Sequence, residues 1–523
     1  MEEIKRSKHK LISASHTAVN SLALPLVQVS HKAFFKGTSV FAQWVDSAMN
    51  TLDNATNESL SWLSGGIRSF ASKAEMTAHS GIASSYETWV NSLTSLNSLL
   101  ANERVQVENY FRTNGIDLEK SLLSSESWNL MVDIYKFINL YRQDLPNISI
   151  IEFIRYLQAY TSMQNAEEKT VNRFIEWLDV KNEADLLDML YYRKYAMAIY
   201  GKNVINILVG GNYLDILRSI PDREIFARHC GIEESDIFVC RFSSDKFTPG
   251  HILSVDHFTR SLVLTIRGTY SIHDVFTDIN AESCDYTYID LETQAEVAGA
   301  VHSGMMTSAS ILSQMLKQIV ITESKKFDGY NLILTGHSLG GAVASLLTLM
   351  WSSDPEFSHL KIKTFTFGCP CVVSSTLNEI LKEKVLTTMH GNDMFTEFSI
   401  GHIRNLCKII EKLKQEEDSG NIDISWLINA GEDDIPRVYE LWKFIFENLQ
   451  DEVLQPAGKI YHYFEEKRHL ENIVINKPEN LRFCGGWAMY DLYSKIHILK
   501  SSFRDHRPDI YEDSLRCISE NLN

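Results

Sequence analysis

Thr335-Gly336-His337-Ser338-Leu339-Gly340-Gly341-Ala342 is the stretch on which the reading of this chain turns. The apolar run Tyr330 to Leu334 leads into it and a helix-like stretch, Ala342 to Trp351, leads out, so it joins a predicted strand to a predicted helix. A Gly-x-Ser-x-Gly string in that setting is the sequence form of a nucleophile elbow. The serine occupies a strained turn that lifts its hydroxyl above the sheet edge, and the glycines on either side let the helix pass close to the strand. Ser338 is the candidate nucleophile. The same string can close an ordinary turn, but strand before, helix after and a further glycine at Gly341 favour catalysis.

Upstream of the elbow, Ile237 to Arg241, Gly250 to Asp256 and Ser261 to Ile266 read as strands, the last buried because its Leu-Val-Leu-Thr-Ile run is unbroken. Arg267-Gly268-Thr269 closes that strand with small residues, where an oxyanion hole can form. Its donors would be the backbone N–H groups of Thr269 and of Leu339, the residue after the nucleophile. Ile272, Val275, Phe276 and Ile279 then fall at i, i+3, i+4 and i+7, which predicts a short amphipathic helix at the mouth of the site.

Downstream, Ile362 to Gly368, Val385 to His390 and Gly458 to Phe464 read as further strands. Asp393, in Gly391-Asn392-Asp393, lies just past one of them, at the sheet edge where the elbow opens, and is the candidate acid. If the order serine, acid, histidine holds, the base is one of His402, His462, His469, His497 and His506. His506 leads because Arg504 to Tyr511 reads as a polar loop broken by Pro508. His462 is the reserve, although its apolar neighbours suit a structural role.

The chain has 523 residues, too many for one ordinary core, with 44% hydrophobic and 22% charged residues, the balance of a globular protein. No stretch reaches the roughly 18 apolar residues that would cross a bilayer. A formal charge of -17 without a clustered basic face argues against nucleic acid. The eight cysteines form no Cys-x-x-Cys pair, so they read as reduced thiols in an intracellular, cytoplasmic protein, and no metal or cofactor is expected. Met1 to Lys10 does not lead into a secretory signal.

Residues 1–190 read as a helical region, with breaks at Gly65-Gly66 and Pro146. Within it, Lys5, Arg6, Lys8 and Lys10 precede the mixed apolar segment Leu11 to Phe35. That segment is taken as a packing helix ahead of a membrane-surface one. Tyr191 to Gly201 reads as a helix stopped by glycine, and strand-like text begins soon after, so a catalytic domain is placed at 191–523. Residues 403–450 are charged and helix-prone and read as an insertion.

Taken together, Arg267-Gly268-Thr269 with Asp274 and Asp278, Val301-His302-Ser303-Gly304, the Gly-His-Ser-Leu-Gly-Gly elbow, Phe367-Gly368-Cys369-Pro370 and Gly391-Asn392-Asp393 resemble the class 3, fungal-type lipase family. Pro456 to His462 and Asp505-His506-Arg507-Pro508 are similar to its diacylglycerol lipase branch. The resemblance covers roughly residues 190 to 520 and implies an α/β-hydrolase fold with an N-terminal helical region and a helical insertion between acid and histidine. It implies Ser338 as nucleophile, Asp393 as acid, His506 as base, and the helix from Ile272 to Asp278 as a lid. The activity implied is hydrolysis of glycerolipid acyl esters, diacylglycerol first, at a membrane or lipid-droplet surface reached peripherally. The alternatives are a phospholipase A1-type, monoacylglycerol or general esterase activity, and, in another class, a lipid-binding scaffold without turnover. Two departures stand out. Membrane diacylglycerol lipases carry transmembrane helices before the catalytic domain, where this chain has helical text of another kind. Met394-Phe395-Thr396 also follows Asp393 where the family continues with an apolar pair and a proline.

Overall fold

The computed structural model describes residues 135, 148–170, 173–175, 180, 183–201, 205, 220–269, 282–446, 453–465, 473–475, 483–498 and 501–520. Lys5 to Phe35, the predicted amphipathic segment at Ile272, Val275, Phe276 and Ile279, and His469 lie outside them. The described elements belong to one compact unit, Glu103–Asn523.

Its strands are β1 (Arg173–Ile175), β2 (Ile237–Arg241), β3 (His251–Asp256), β4 (Ser261–Ile266), β5 (Ser283–Ile289) and β6 (Glu296–His302). They continue with β7 (Asn331–His337), β8 (Ile362–Phe367), β9 (Val385–His390), β10 (Lys459–Glu465), β11 (Ile473–Ile475) and β12 (Phe483–Ala488). Eight of them form one sheet in the order β12-β10-β9-β8-β7-β4-β3-β2. From β4 to β10 the neighbours are parallel, and β12, β3 and β2 are added antiparallel at the edges. β4 and β9 are buried along their whole length, as strands covered on both faces must be. With the elbow after β7, this is the α/β-hydrolase arrangement, and every parallel strand delivers its carboxyl end to the edge where Ser338 lies.

The helices are α1 (Ile150–Thr170), α2 (Ala184–Ala198), α3 (Asp222–Cys230), α4 (Ser303–Ser324), α5 (Leu339–Ser352) and α6 (Ser375–Leu381). They end with α7 (Ile400–Asp418), α8 (Ile424–Ile428), α9 (Ile435–Phe446), α10 (Ser502–Asp505) and α11 (Pro508–Glu520). α5 runs Leu-Gly-Gly-Ala-Val-Ala-Ser-Leu-Leu, apolar or small all round, and it is buried between the sheet and α4. α2 packs on the other side of the core, where Leu186, Tyr192 and Tyr195 meet Val263, Ile333 and Phe365.

The predicted core strands are present; Ile237–Arg241, Ser261–Ile266 and Val385–His390 have the predicted bounds, and the ends of the others move by at most three residues. The structure adds what the sequence reading lacked. β5 and β6 form a separate antiparallel hairpin, and β1 pairs in parallel with β11 inside a stretch read as continuous helix. The insertion between Asp393 and His506 is helical, as α7, α8 and α9, and α1 packs against all three. The boundary read at residue 190 falls inside α2. None of the eight cysteines is in a disulfide.

α1 also reaches the catalytic edge. Tyr160 Oη and Gln164 Nε2 both donate to the Ile496 carbonyl, at 2.7 and 2.6 Å, and Lys495 pairs with Glu167. The next residue, His497, donates from its backbone N–H and from Nδ1 to Glu397, at 2.6 and 2.7 Å. Glu397 ends the 3-10 turn that begins just after Asp393.

Candidate active site

Ser338 sits at φ 54°, ψ −129°, a backbone conformation that side chains rarely adopt and that a tight strand-to-helix turn enforces. The turn is tight because α5 crosses close to β4. A Cβ on Gly340 would lie 2.1 Å from the Ile266 carbonyl oxygen, so only glycine fits. Ser338 is therefore held at the sheet edge with its amide bonded to Phe367 O at 2.9 Å.

Ser338 Oγ lies 2.9 Å from His506 Nε2, and His506 Nδ1 lies 2.9 Å from each oxygen of Asp393. A carboxylate accepts, so Nδ1 carries the proton and Nε2 is left to accept from the serine hydroxyl. That tautomer is the one a general base needs. Asp393 also accepts from the Phe395 N–H at 3.0 Å and from the Tyr511 hydroxyl at 2.7 Å. Tyr511 Oη in turn accepts from His390 N–H, and its own ionisation is pushed far up by burial and the neighbouring carboxylate. Phe395 packs against the His506 ring, the two centroids 4.4 Å apart and the planes tilted by 37°.

His506 does not lie in an open polar loop. It links α10 to α11, with Pro508 as the first residue of α11, and is only 7% exposed. Proline suits that position because the first helical N–H has no partner within the helix. The base segment is fastened to the acid turn: Asp505 Oδ2 accepts from Asn392 N–H at 3.0 Å, and Asn392 Nδ2 donates to Ser501 Oγ at 2.8 Å.

The other histidines have different tasks. His462 Nε2 donates to the Gly391 carbonyl at 2.8 Å and Nδ1 accepts from the Tyr493 hydroxyl. It braces the acid turn, and burial pushes its pKa down to about 4. His402 lies between Ser399 Oγ and the Tyr493 carbonyl, and His497 is bonded to Glu397. The reserve assignment of His462 as base thus has no counterpart in the geometry.

The predicted oxyanion donors flank the serine. Leu339 opens α5, so its N–H belongs to the first, unpaired turn of a helix whose dipole favours negative charge. Gly268 lies beside Ser338, since a Cβ there would fall 3.2 Å from the serine Cβ, and Thr269 follows it. Thr269 Oγ1 is buried and has no hydrogen-bond partner among the described residues, which leaves a hydroxyl available beside the main-chain donor. No group of three or more His, Cys, Asp or Glu arranged to hold a metal occurs among the described residues.

Sequence reasoning missed Tyr511, Asp505 and the buried Tyr200 and His337 pair. Each is an ordinary residue type whose role depends on what the fold brings beside it.

Part of the chain is similar to known lipases. The family model described as Lipase (class 3) matches residues 263–401, a span that holds Thr269, Ser338, Leu339 and Asp393 and stops before His506. Diacylglycerol lipase-alpha of Homo sapiens is 23% identical over 410 residues, covering 68% of this chain and 38% of that protein. Diacylglycerol lipase-beta of Mus musculus is 29% identical over 180 residues, covering 34% of this chain and 26% of that protein. The chain thus spans well under half the length of these relatives. A crystal structure of a lipase from Rhizopus microsporus var. chinensis shares 18% identity at a TM-score of 0.32, over 43% of this chain and 71% of that one. That overall similarity is too low to add to the strand order.

Proposed function

Because residues 263–401 form a class 3 lipase segment, we propose that the chain is a serine hydrolase of glycerolipid acyl esters, with diacylglycerol as its substrate. The observation that carries the proposal is the hydrogen-bonded series Ser338 Oγ, His506, Asp393, built on a serine in the elbow conformation.

In this reading Ser338 Oγ attacks the ester carbonyl carbon while His506 Nε2 takes the hydroxyl proton. The carbonyl oxygen gains the negative charge and is met by the Thr269 and Leu339 N–H groups. Collapse breaks the bond to the glycerol oxygen, which leaves with the proton from His506. Water then attacks the acyl-enzyme by the same route and releases the fatty acid. Asp393 keeps His506 in the required tautomer and stabilises its cation.

The similarity to diacylglycerol lipases supports diacylglycerol as the substrate. No helix among the described residues is long and apolar enough to cross a membrane, which suits contact with a membrane or droplet surface from one side. Thiols that form no disulfide suit a reducing, cytoplasmic setting. The predicted helix through Ile272, Val275, Phe276 and Ile279 is proposed as the lid.

The test is covalent labelling with a fluorophosphonate, followed by analysis of products from diacylglycerol, monoacylglycerol and phosphatidylcholine. Labelling lost in Ser338→Ala, with fatty acid released first from diacylglycerol, is expected. Faster release from phosphatidylcholine would make the protein a phospholipase, and absence of labelling would make it a scaffold.

A further inference from the structure

Tyr200 lies just past the end of α2, immediately before Gly201 at φ 82°. Its hydroxyl is 2.9 Å from Nδ1 of His337, the residue before Ser338. The other ring nitrogen of His337, Nε2, is 2.8 Å from the main-chain carbonyl oxygen of His506. A carbonyl oxygen only accepts, so Nε2 carries the proton, and on a neutral ring Nδ1 must accept from the Tyr200 O–H. Burial, reinforced by His506 nearby, holds the His337 pKa well below the usual range, which keeps that ring neutral. The same hydroxyl also touches the oxyanion turn. A Cβ on Gly268 would fall 2.4 Å from Tyr200 Oη and 2.4 Å from the His337 carbonyl oxygen. One hydroxyl thus meets the oxyanion turn and the elbow, and through His337 it reaches the base.

We propose that Tyr200 and His337 are positioning residues for the general base: the Tyr200 hydroxyl holds the His337 ring by Nδ1, and the Nε2–H of that ring holds the main chain of His506 in register with Ser338. The proposal rests on the acyl-ester reading above.

The grip is on the backbone of His506 and not on its ring. The ring stays able to turn between Ser338 Oγ and the departing glycerol oxygen while Asp393 holds Nδ1. Neutrality of His337 matters for the same reaction, because its ring centroid lies 4.9 Å from that of His506. A second cation at that distance would oppose the imidazolium that forms at His506 as Ser338 attacks. Without the Tyr200 hydroxyl the His506 carbonyl still favours the Nε2–H form, but Nδ1 loses its donor, the ring is no longer held on that side, and its Nε2–H no longer keeps the base in line. A displacement of about 1 Å at a reacting group costs about 10²-fold in rate.

Tyr200→Phe keeps the ring and removes only the oxygen. On a soluble short-chain ester it is expected to lower kcat about ten- to hundredfold with KM within about twofold. Long-range proton–nitrogen spectra of protein labelled in histidine should show His337 as the Nε2–H form in both proteins, with the Nε2–H proton shifted upfield in Tyr200→Phe as its hydrogen bond to the His506 carbonyl loosens. His337→Gln gives a second arm, because it removes the ring that the Tyr200 hydroxyl holds. In that background Tyr200→Phe should change kcat by less than about twofold. A Tyr200→Phe protein with kcat within twofold of wild type, a slow one whose His337 Nε2–H proton does not move, or a further tenfold loss in the glutamine background would each overturn the proposal. Failure of the wild type to hydrolyse any acyl ester would instead remove the functional reading, and the spectra would still report the hydrogen bond of His337.

Discussion

Replacing Ser338 by glycine and, separately, by alanine isolates the strain held at the elbow. Both variants lose the hydroxyl, the 2.9 Å hydrogen bond to His506 and the nucleophile, so those losses cancel when the two are compared with each other. What differs is the Cβ. At φ 54°, ψ −129° a residue with a Cβ is held at a cost of about 1–3 kcal/mol, whereas glycine enters that region freely. Glycine gives back about 0.5–1 kcal/mol through the greater freedom of its unfolded chain. The glycine variant should therefore be the more stable by about 1 kcal/mol, read as a higher urea midpoint and a melting temperature about 2 °C above that of the alanine variant. Both should be inactive on a soluble ester. An alanine variant as stable as the glycine variant, or more so, would show that the elbow stores no strain, and the account of why the serine is held at the sheet edge would fail.

Three further outcomes follow from the geometry. Ser338→Ala, Asp393→Ala and His506→Ala should each lower hydrolysis by several orders of magnitude and their combination by little more, since they act as one unit; a loss on His462→Ala as deep as on His506→Ala would reassign the base. Tyr511→Phe removes a hydrogen bond to a carboxylate, worth about 1.5–3 kcal/mol, and should cost about tenfold in kcat with KM unchanged; a change under twofold in steady-state assays would count against it. Acid should unfold the protein early. His229, His402 and His462 are each pushed down to about 4 by burial, and the unfolded chain titrates them near 6.5, so between those values it binds more protons and stability falls as pH falls. Urea midpoints between pH 7 and pH 5 should drop with uptake of about three protons on unfolding, and a flat profile would mean that these rings are solvated.

The elbow and the core strands were legible because their evidence is local: a strand pattern, a glycine-framed serine and a helix pattern follow one another between residues 330 and 351. The β5 and β6 hairpin was not, because Asp285, Thr287 and Ile289 face solvent and only Tyr288 on the other face of β5 is fully buried, a weak alternation. β1 pairs with a strand some 300 residues further along, and no local propensity records such a partner. The candidate histidines had the same difficulty. Chain order limited the base to five positions, and only the path of the chain between Asp393 and α11 brings His506, and not His462, onto Ser338. Tyr511 shows the limit of pattern reading most simply, since its value comes from the carboxylate that it meets 118 residues away in sequence.

The bonds from α1 to Ile496 and Lys495, followed by those from His497 to Glu397, bear on how this protein can be taken apart. Modular proteins can be trimmed or exchanged where few contacts cross a boundary. Here a cut at residue 191 would sever α2 in its middle and discard Tyr160, Gln164 and Glu167. A fragment that keeps Ser338, Asp393 and His506 would thus lose the support behind the turn that carries Asp393. Grafting, shortening or fusing this protein should therefore respect a unit that begins before Ile150, and exchanging its upstream helix for another would be an operation on the candidate active site.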